Sequence, residues 1–121
     1  MITLKTLPQA TAQEVFDQMK NHLIKQNKKS MVLDPNDNRE LCSYRGDGGL
    51  QCAAGCLIAD DEYNPEWEHT AWCSLTKQKK VPNKHEKMIN KLQSIHDLYQ
   101  PNQWQQELKD YTLENNLQYH E

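Results

Sequence analysis

The 121-residue sequence lacks any apolar stretch long enough to span a bilayer, and Met1 to Lys5 lacks both the charged n-region and the continuous apolar run of an export signal. It also lacks a basic excess. Its formal net charge is -3, whereas proteins that bind phosphate backbones in general are basic. We therefore expect a protein of the cytoplasm that binds neither membranes nor nucleic acid.

Apolar residues are scarce as well, at 36% of the chain with a mean hydropathy of -0.98. The core must therefore be lean. A chain of this length can still bury enough surface to fold as a single domain over residues 1–121, provided that its aromatic residues contribute. We expect Trp67, Trp72 and Trp104 to fill that core, although exposed tryptophans would be natural anchors for a homodimer.

The spacing of apolar residues predicts a mainly helical α+β fold, with four to five helices packed on a small antiparallel β-hairpin. The clearest helix runs from Thr11 to Asn27 and opens with Thr11 and Glu14 at capping-box spacing. Extended segments at Ser30 to Leu33 and Leu41 to Arg45 flank a turn-forming run, which predicts the hairpin. Further helices are expected over Leu50 to Ala59, from Asn64 through Leu75, from Asn83 and from Asn102, with a tail that frays after Asn115.

The four cysteines indicate free thiols or metal ligands, because a reducing cytoplasm does not favour disulfides. Cys52, Cys56, His69 and Cys73 follow the spacing C-x3-C-x12-H-x3-C, which fits a loose pattern for tetrahedral zinc. The first pair, however, lies in an apolar segment, and free cysteines often serve as buried packing residues. We expect packing thiols and no cofactor; a zinc-stabilised regulatory module is the alternative.

A cysteine-dependent enzyme is a second alternative. Cys52 follows a glycine-rich loop near an expected helix start, where the helix dipole would lower the pKa of a thiol. His96 or His69 could act as base, oriented by Asp97 or Asp60. Because His96 borders the apolar stripe of its helix, an ordinary half-buried histidine explains it better, and we do not expect catalysis.

Charge is unevenly distributed, with an acidic run that contains no Lys or Arg followed by a lysine-rich run. Two solvated faces that attract each other across a turn are one interpretation, and an acidic edge that docks on a basic partner is the other. Nucleic-acid binding through the second run, which would weaken steeply with salt, is an alternative. The acidic run comprises Asp60, Asp61, Glu62, Glu66 and Glu68, and the basic run Lys77, Lys79, Lys80, Lys84, Lys87 and Lys91.

Several segments from Cys42 onward carry a distinctive pattern. They are Cys42-Ser43-Tyr44-Arg45, Asp47-Gly48, the stretch from Cys52 to Asp60, and Tyr63. This pattern resembles a group of small uncharacterised proteins of bacteriophages and bacteria, which share C-x-Y-R…D-G…C-A-x-G-x-L-I-x-D-x-x-Y. The segment from Leu92 to Asp97, with Trp104 and Leu117, is similar to the downstream part of the same group.

The group has no activity that carries over, but the resemblance implies a phage-derived protein that acts by binding. Small phage accessory proteins commonly block a host defence complex, such as CRISPR–Cas, or sequester its signalling molecule. A host protein complex or a small-molecule ligand is therefore the expected partner. The expected binding residues are Tyr44, Arg45, Asp60, Asp61, Glu62, Tyr63 and Glu66.

Overall fold

Four α-helices and one two-stranded antiparallel hairpin form the regular structure of the computed structural model, which describes residues 1–121. The predicted mainly helical α+β fold with a small hairpin is thus confirmed. No helix of this fold is both long and apolar enough to cross a membrane. The helices are α1 (Ala12–Gln26), α2 (Trp72–Lys77), α3 (Glu86–Leu98) and α4 (Pro101–Glu114), and the strands are β1 (Met31–Leu33) and β2 (Glu40–Cys42).

Helix α1 opens as predicted. Thr11 and Glu14 form a reciprocal capping box, in which each side chain accepts the other residue's backbone N–H, and Asn27 ends the helix in the left-handed conformation. The buried side of α1 packs against α3 and α4, and α2 packs against α3. The core contains 21 buried residues in one cluster, and Trp67, Trp72 and Trp104 all belong to it, as expected.

The hairpin is shorter than predicted, because its second strand ends at Cys42 and not at Arg45. Met31 pairs with Cys42 and Leu33 with Glu40. Beyond Cys42, the backbone N–H groups of Tyr44 and Arg45 donate to a side-chain carboxylate instead of a neighbouring strand. A short turn of 3-10 helix follows at Asp47–Gly49.

Two predicted helices are wrong in kind. The segment from Leu50 to Ala59 is buried, but its only helical part is a 3-10 turn at Gly55–Leu57. The helix predicted from Asn64 through Leu75 is split into a 3-10 turn at Pro65–Trp67, capped by the Asn64 side chain, and helix α2. Between them His69 adopts the left-handed conformation, with φ of 64°, which an α-helix cannot contain.

The later helices start at other residues than predicted. Helix α3 begins at Glu86 and not at Asn83, after left-handed His85, whose ring bonds to the Ala10 carbonyl. Helix α4 begins at Pro101, and its capping box uses Gln100 and Gln103 instead of Asn102 and Gln105. The C-terminal tail is packed and not frayed, since Leu117 and Tyr119 lie against the core cluster.

Candidate functional site

The segment after β2 is held by Glu68. One carboxylate oxygen accepts the backbone N–H of Tyr44 at 2.9 Å, and the other accepts that of Arg45 at 3.0 Å. The Tyr63 hydroxyl donates to the same carboxylate at 2.5 Å, and the Tyr44 hydroxyl donates to the Thr70 carbonyl at 2.6 Å. Backbone groups without a strand partner are thereby satisfied by side chains.

Arg45 has the same kind of role. Its guanidinium donates to the carbonyl of Gly55 at 2.9 Å and to that of Ile58 at 2.6 Å, which are backbone acceptors in the irregular segment after Cys52. The guanidinium also lies over the Tyr63 ring, 4.9 Å from its centroid. A longer contact, of 3.3 Å, joins it to the Asp60 carboxylate. Arg45 therefore stabilises the irregular segment after Cys52 and does not project into solvent as a free cation.

Glu62 holds the other end of this segment. Its carboxylate accepts backbone N–H groups from Leu4 at 3.0 Å, Lys5 at 3.1 Å and Ala59 at 2.9 Å. Burial would raise the pKa of Glu62, but these hydrogen bonds outweigh burial and lower it. Glu62 is therefore an anchor between the N-terminal residues and the acidic run.

Of the seven expected binding residues, four are occupied by internal contacts: Tyr44, Arg45, Glu62 and Tyr63. The other three project into solvent. The Asp60 side chain is 96% exposed, and Asp61 and Glu66 are exposed as well. We call Asp60, Asp61 and Glu66 the acidic edge.

The acidic run and the lysine run do not neutralise each other. The ion pairs of the structure are Arg39–Asp37, Arg45–Asp60 and Lys109–Glu121, and His96 also contacts Asp97. None of them joins the two runs, so the expected attraction across a turn forms no ion pair.

The four cysteines are free, and three of them have thiols held in the protonated form. Cys52 is 1% exposed, and its sulfur accepts the Gly55 backbone N–H at 3.3 Å. Burial raises the pKa of Cys52 far above its ordinary value and raises those of Cys42 and Cys56 to about 12. Since the thiolate is the reactive species, the structure does not supply the activated Cys52 that the enzyme alternative requires.

The zinc alternative requires the donor atoms of Cys52, Cys56, His69 and Cys73 to converge. Cys52, His69 and Cys73 line one groove, but no three of the four residues have donor atoms within 4.8 Å of one another. The group of three ligand-type residues whose donor atoms lie within 4.8 Å of one another is instead Cys42, His96 and Asp97. His69, on the left-handed turn before α2, is exposed.

His96 is a structural residue in this cluster. Its Nε2 accepts the buried backbone N–H of Ser30 at 3.0 Å, so the ring proton must sit on Nδ1, which donates to Asp97 at 2.7 Å. The ring is 0% exposed and stacks on Trp104. A metal at Nδ1, or a base at Nε2, would leave the Ser30 amide without its acceptor, and the cluster fits neither role.

Asp97 completes the cluster. Burial would raise the pKa of Asp97, but hydrogen bonds from His96, Cys42 and Gln93 outweigh burial, and the pKa lies below its ordinary value. The Gln93 amide donates to Asp97 at 2.8 Å, and its oxygen accepts the Ala54 backbone N–H at 2.9 Å. The three residues proposed for catalysis, Cys52, His96 and Asp97, thus belong to the packing of β1, α3 and the segment around Ala54.

Sequence reasoning missed a groove between β2, the residues before α2, and α3. It has a volume of about 500 Å³, within the range of small-ligand sites. A polar stripe on α3 signals it: Asn90, Gln93, Ser94 and Asp97 recur at three and four residues beside the apolar stripe. The walls also include Cys42, Tyr44, Glu68 and Cys73, with no Lys or Arg.

No protein-family model matches this chain, and no curated protein or solved structure matches it at a significant level.

Proposed function

We propose that this chain is a non-catalytic binding protein that docks through the acidic edge on a basic surface of its partner. The observation that carries the proposal is the combination of exposed carboxylates with a fixed backbone. Asp61 and Glu66 project into solvent from a segment that the side chains of Glu62, Glu68 and Arg45 tie to neighbouring parts of the chain. An edge that is already ordered loses little conformational entropy on binding.

The partner we propose is a host factor, with a defence complex such as CRISPR–Cas as the target class. Nucleic-acid-handling complexes carry basic surfaces, which suit an acidic edge. The resemblance of the segments around Cys42 and Cys52 to small phage proteins supports a phage origin and an inhibitory role. Blocking such a surface requires no chemistry, in keeping with protonated Cys52 and fully hydrogen-bonded His96.

A double charge reversal tests the docking surface. Asp61→Lys with Glu66→Lys should abolish partner capture from a bacterial lysate and leave the Tm of the purified chain unchanged, because neither side chain makes an internal ion pair. Glu62 is excluded from the variant because it anchors the backbone of Leu4 and Lys5. Capture is measured by affinity pull-down and mass spectrometry.

The matched control is Glu40→Lys with Glu114→Lys, which makes the same charge change at exposed residues elsewhere. Undiminished capture by the first pair, or equal loss in both pairs, would overturn the proposal. A Cys52→Ser variant should still capture the partner, whereas the enzyme alternative requires it to lose all activity. Native mass spectrometry of the same samples tests the signal-sequestering form, in which a small ligand in the groove adds mass to the chain.

A further inference from the structure

A second charged surface, which is positive, lies where α2 ends and α3 begins. All of its lysines are exposed. We call this set the lysine surface; it comprises Lys77, Lys79, Lys80, Lys84, Lys87 and Lys91.

No carboxylate neutralises the lysine surface. None of its six lysines takes part in an ion pair. The only acidic residue between positions 77 and 91 is Glu86, and its carboxylate accepts a short hydrogen bond from the Thr76 hydroxyl. The segment holds six of the fourteen basic residues and one of the seventeen acidic ones, so the overall net charge of -3 conceals a strongly positive region.

The lysines are arranged around a concave surface and along a helix. Lys77, Lys79 and Lys80 line a groove of about 500 Å³ together with Asn83. Lys87 and Lys91 lie one turn apart on α3, roughly 6 Å along its axis, and are exposed. Like charges held this close repel one another, and an anion between them would relieve that repulsion.

We infer that the lysine surface binds the phosphate backbone of nucleic acid without reading its sequence. This function goes beyond the proposed docking through the acidic edge and uses a different part of the chain. Lysine ammonium groups act as point charges on phosphates, and the segment contains no Arg fork to read bases. The segment also contains no Phe, Tyr or Trp. The ring of its histidine, His85, is hydrogen-bonded to the Ala10 carbonyl, so base stacking contributes nothing.

Fluorescence anisotropy with a labelled oligothymidylate of about 16 nucleotides tests this inference on the full chain. If about four phosphates are contacted, raising NaCl from about 50 mM to about 200 mM should weaken binding about 50-fold, because each contact releases a counterion. An oligoadenylate of the same length should bind within about threefold of the oligothymidylate, since only phosphates are recognised.

Neutralised lysines supply the decisive comparison. Lys80→Gln, Lys84→Gln and Lys87→Gln in one chain should reduce the weakening over the same salt range to about threefold. The control is Lys5→Gln, Lys25→Gln and Lys28→Gln, which makes the same change in net charge at exposed lysines elsewhere. The control should keep the salt dependence of the natural chain, and thermal unfolding followed by circular dichroism confirms that both variants are folded.

Three results would overturn the inference. One is no binding at the lower salt concentration, and another is equal loss in the two triple variants, which would make net charge the cause. The third is tighter binding of polyaspartate than of the oligonucleotide, which would make the partner an acidic protein surface. Partner capture by Asp61→Lys with Glu66→Lys is measured separately, so failure here leaves the proposed function standing.

Discussion

At the scale of single residues, the polar side chains of Arg45, Glu62 and Glu68 bond mainly to backbone atoms. The Arg45 guanidinium donates to three backbone carbonyls, the Glu62 carboxylate accepts three backbone amides, and the Glu68 carboxylate accepts two. Irregular segments have no ladder partners, so side chains must satisfy their buried backbone groups. Residue types that suggest a binding site in the sequence therefore serve largely to hold the segment that carries the acidic edge.

Thiol reactivity is predicted at this scale. Burial raises the pKa of Cys52 and raises those of Cys42 and Cys56 to about 12, so these thiols stay protonated at neutral and mildly alkaline pH. Iodoacetamide should modify them slowly in the folded chain both at about pH 7 and at about pH 9, because only a small fraction of each thiol is ionised even at the higher pH, where an ordinary thiol is largely ionised. Peptide mass spectrometry after timed quenching measures each site.

The urea-unfolded chain is the control, because all four thiols should react there at the rate of exposed cysteines. Rapid labelling of Cys52 in the folded chain near pH 7 would contradict this prediction and revive the enzyme alternative.

At the scale of elements, close backbone contact decides the conformation of the segment after Cys52. An added Cβ at Gly55 would lie 2.4 Å from the Tyr44 carbonyl oxygen, so glycine is required for the two segments to approach. The α-helix expected there does not form, since its Gly55 and Ile58 carbonyls bond to Arg45.

A glycine pair separates this steric effect from backbone strain. Gly55→Ala should destabilise the fold by about 2 kcal/mol or more, because backbone atoms of Tyr44 must move. Gly49→Ala has open space around the new methyl group but a φ of 78°, and should cost about 1 kcal/mol. Urea unfolding of both variants gives the free energies. A Gly55→Ala cost no larger than that of Gly49→Ala would show that the contact is relieved easily.

At the scale of the whole molecule, the chain's last residues return to its first long helix. Gln13 exchanges two hydrogen bonds with the backbone of Gln118, of 2.9 Å and 2.8 Å. Lys20 is 4% exposed, donates to the His120 carbonyl and lies 5.0 Å from the centroid of the Tyr119 ring. The tail therefore covers the ammonium group of Lys20 on α1.

Removal of residues 117–121 should destabilise the chain by about 2 kcal/mol or more, because the core surface that Leu117 and Tyr119 cover becomes exposed to water. Removal of Glu121 alone should cost less than about 0.5 kcal/mol, since its ion pair with Lys109 is exposed. Thermal and urea unfolding measure both. If the longer deletion costs no more than the shorter one, the tail does not stabilise the fold.

Local patterns were sufficient for several features of the fold. The capping box of Thr11 and Glu14, the hairpin and the three core tryptophans were all predictable, because each depends on residues close in sequence or on hydrophobicity alone. The interruption of the predicted helix at His69 was not predictable from local patterns. It depends on the contact of Glu68 with Tyr44 and Arg45, which lie more than twenty residues earlier in the chain.

The fold class, the uneven distribution of charge and the unpaired cysteines could all be inferred from the amino-acid sequence. Which polar residues are available to a partner depends on the tertiary structure. Asp61 and Glu62 are neighbours of equal charge, yet one is exposed and the other accepts three backbone amides, two of them from Leu4 and Lys5. Long-range packing assigns backbone donors to particular side chains, and no local pattern contains that assignment.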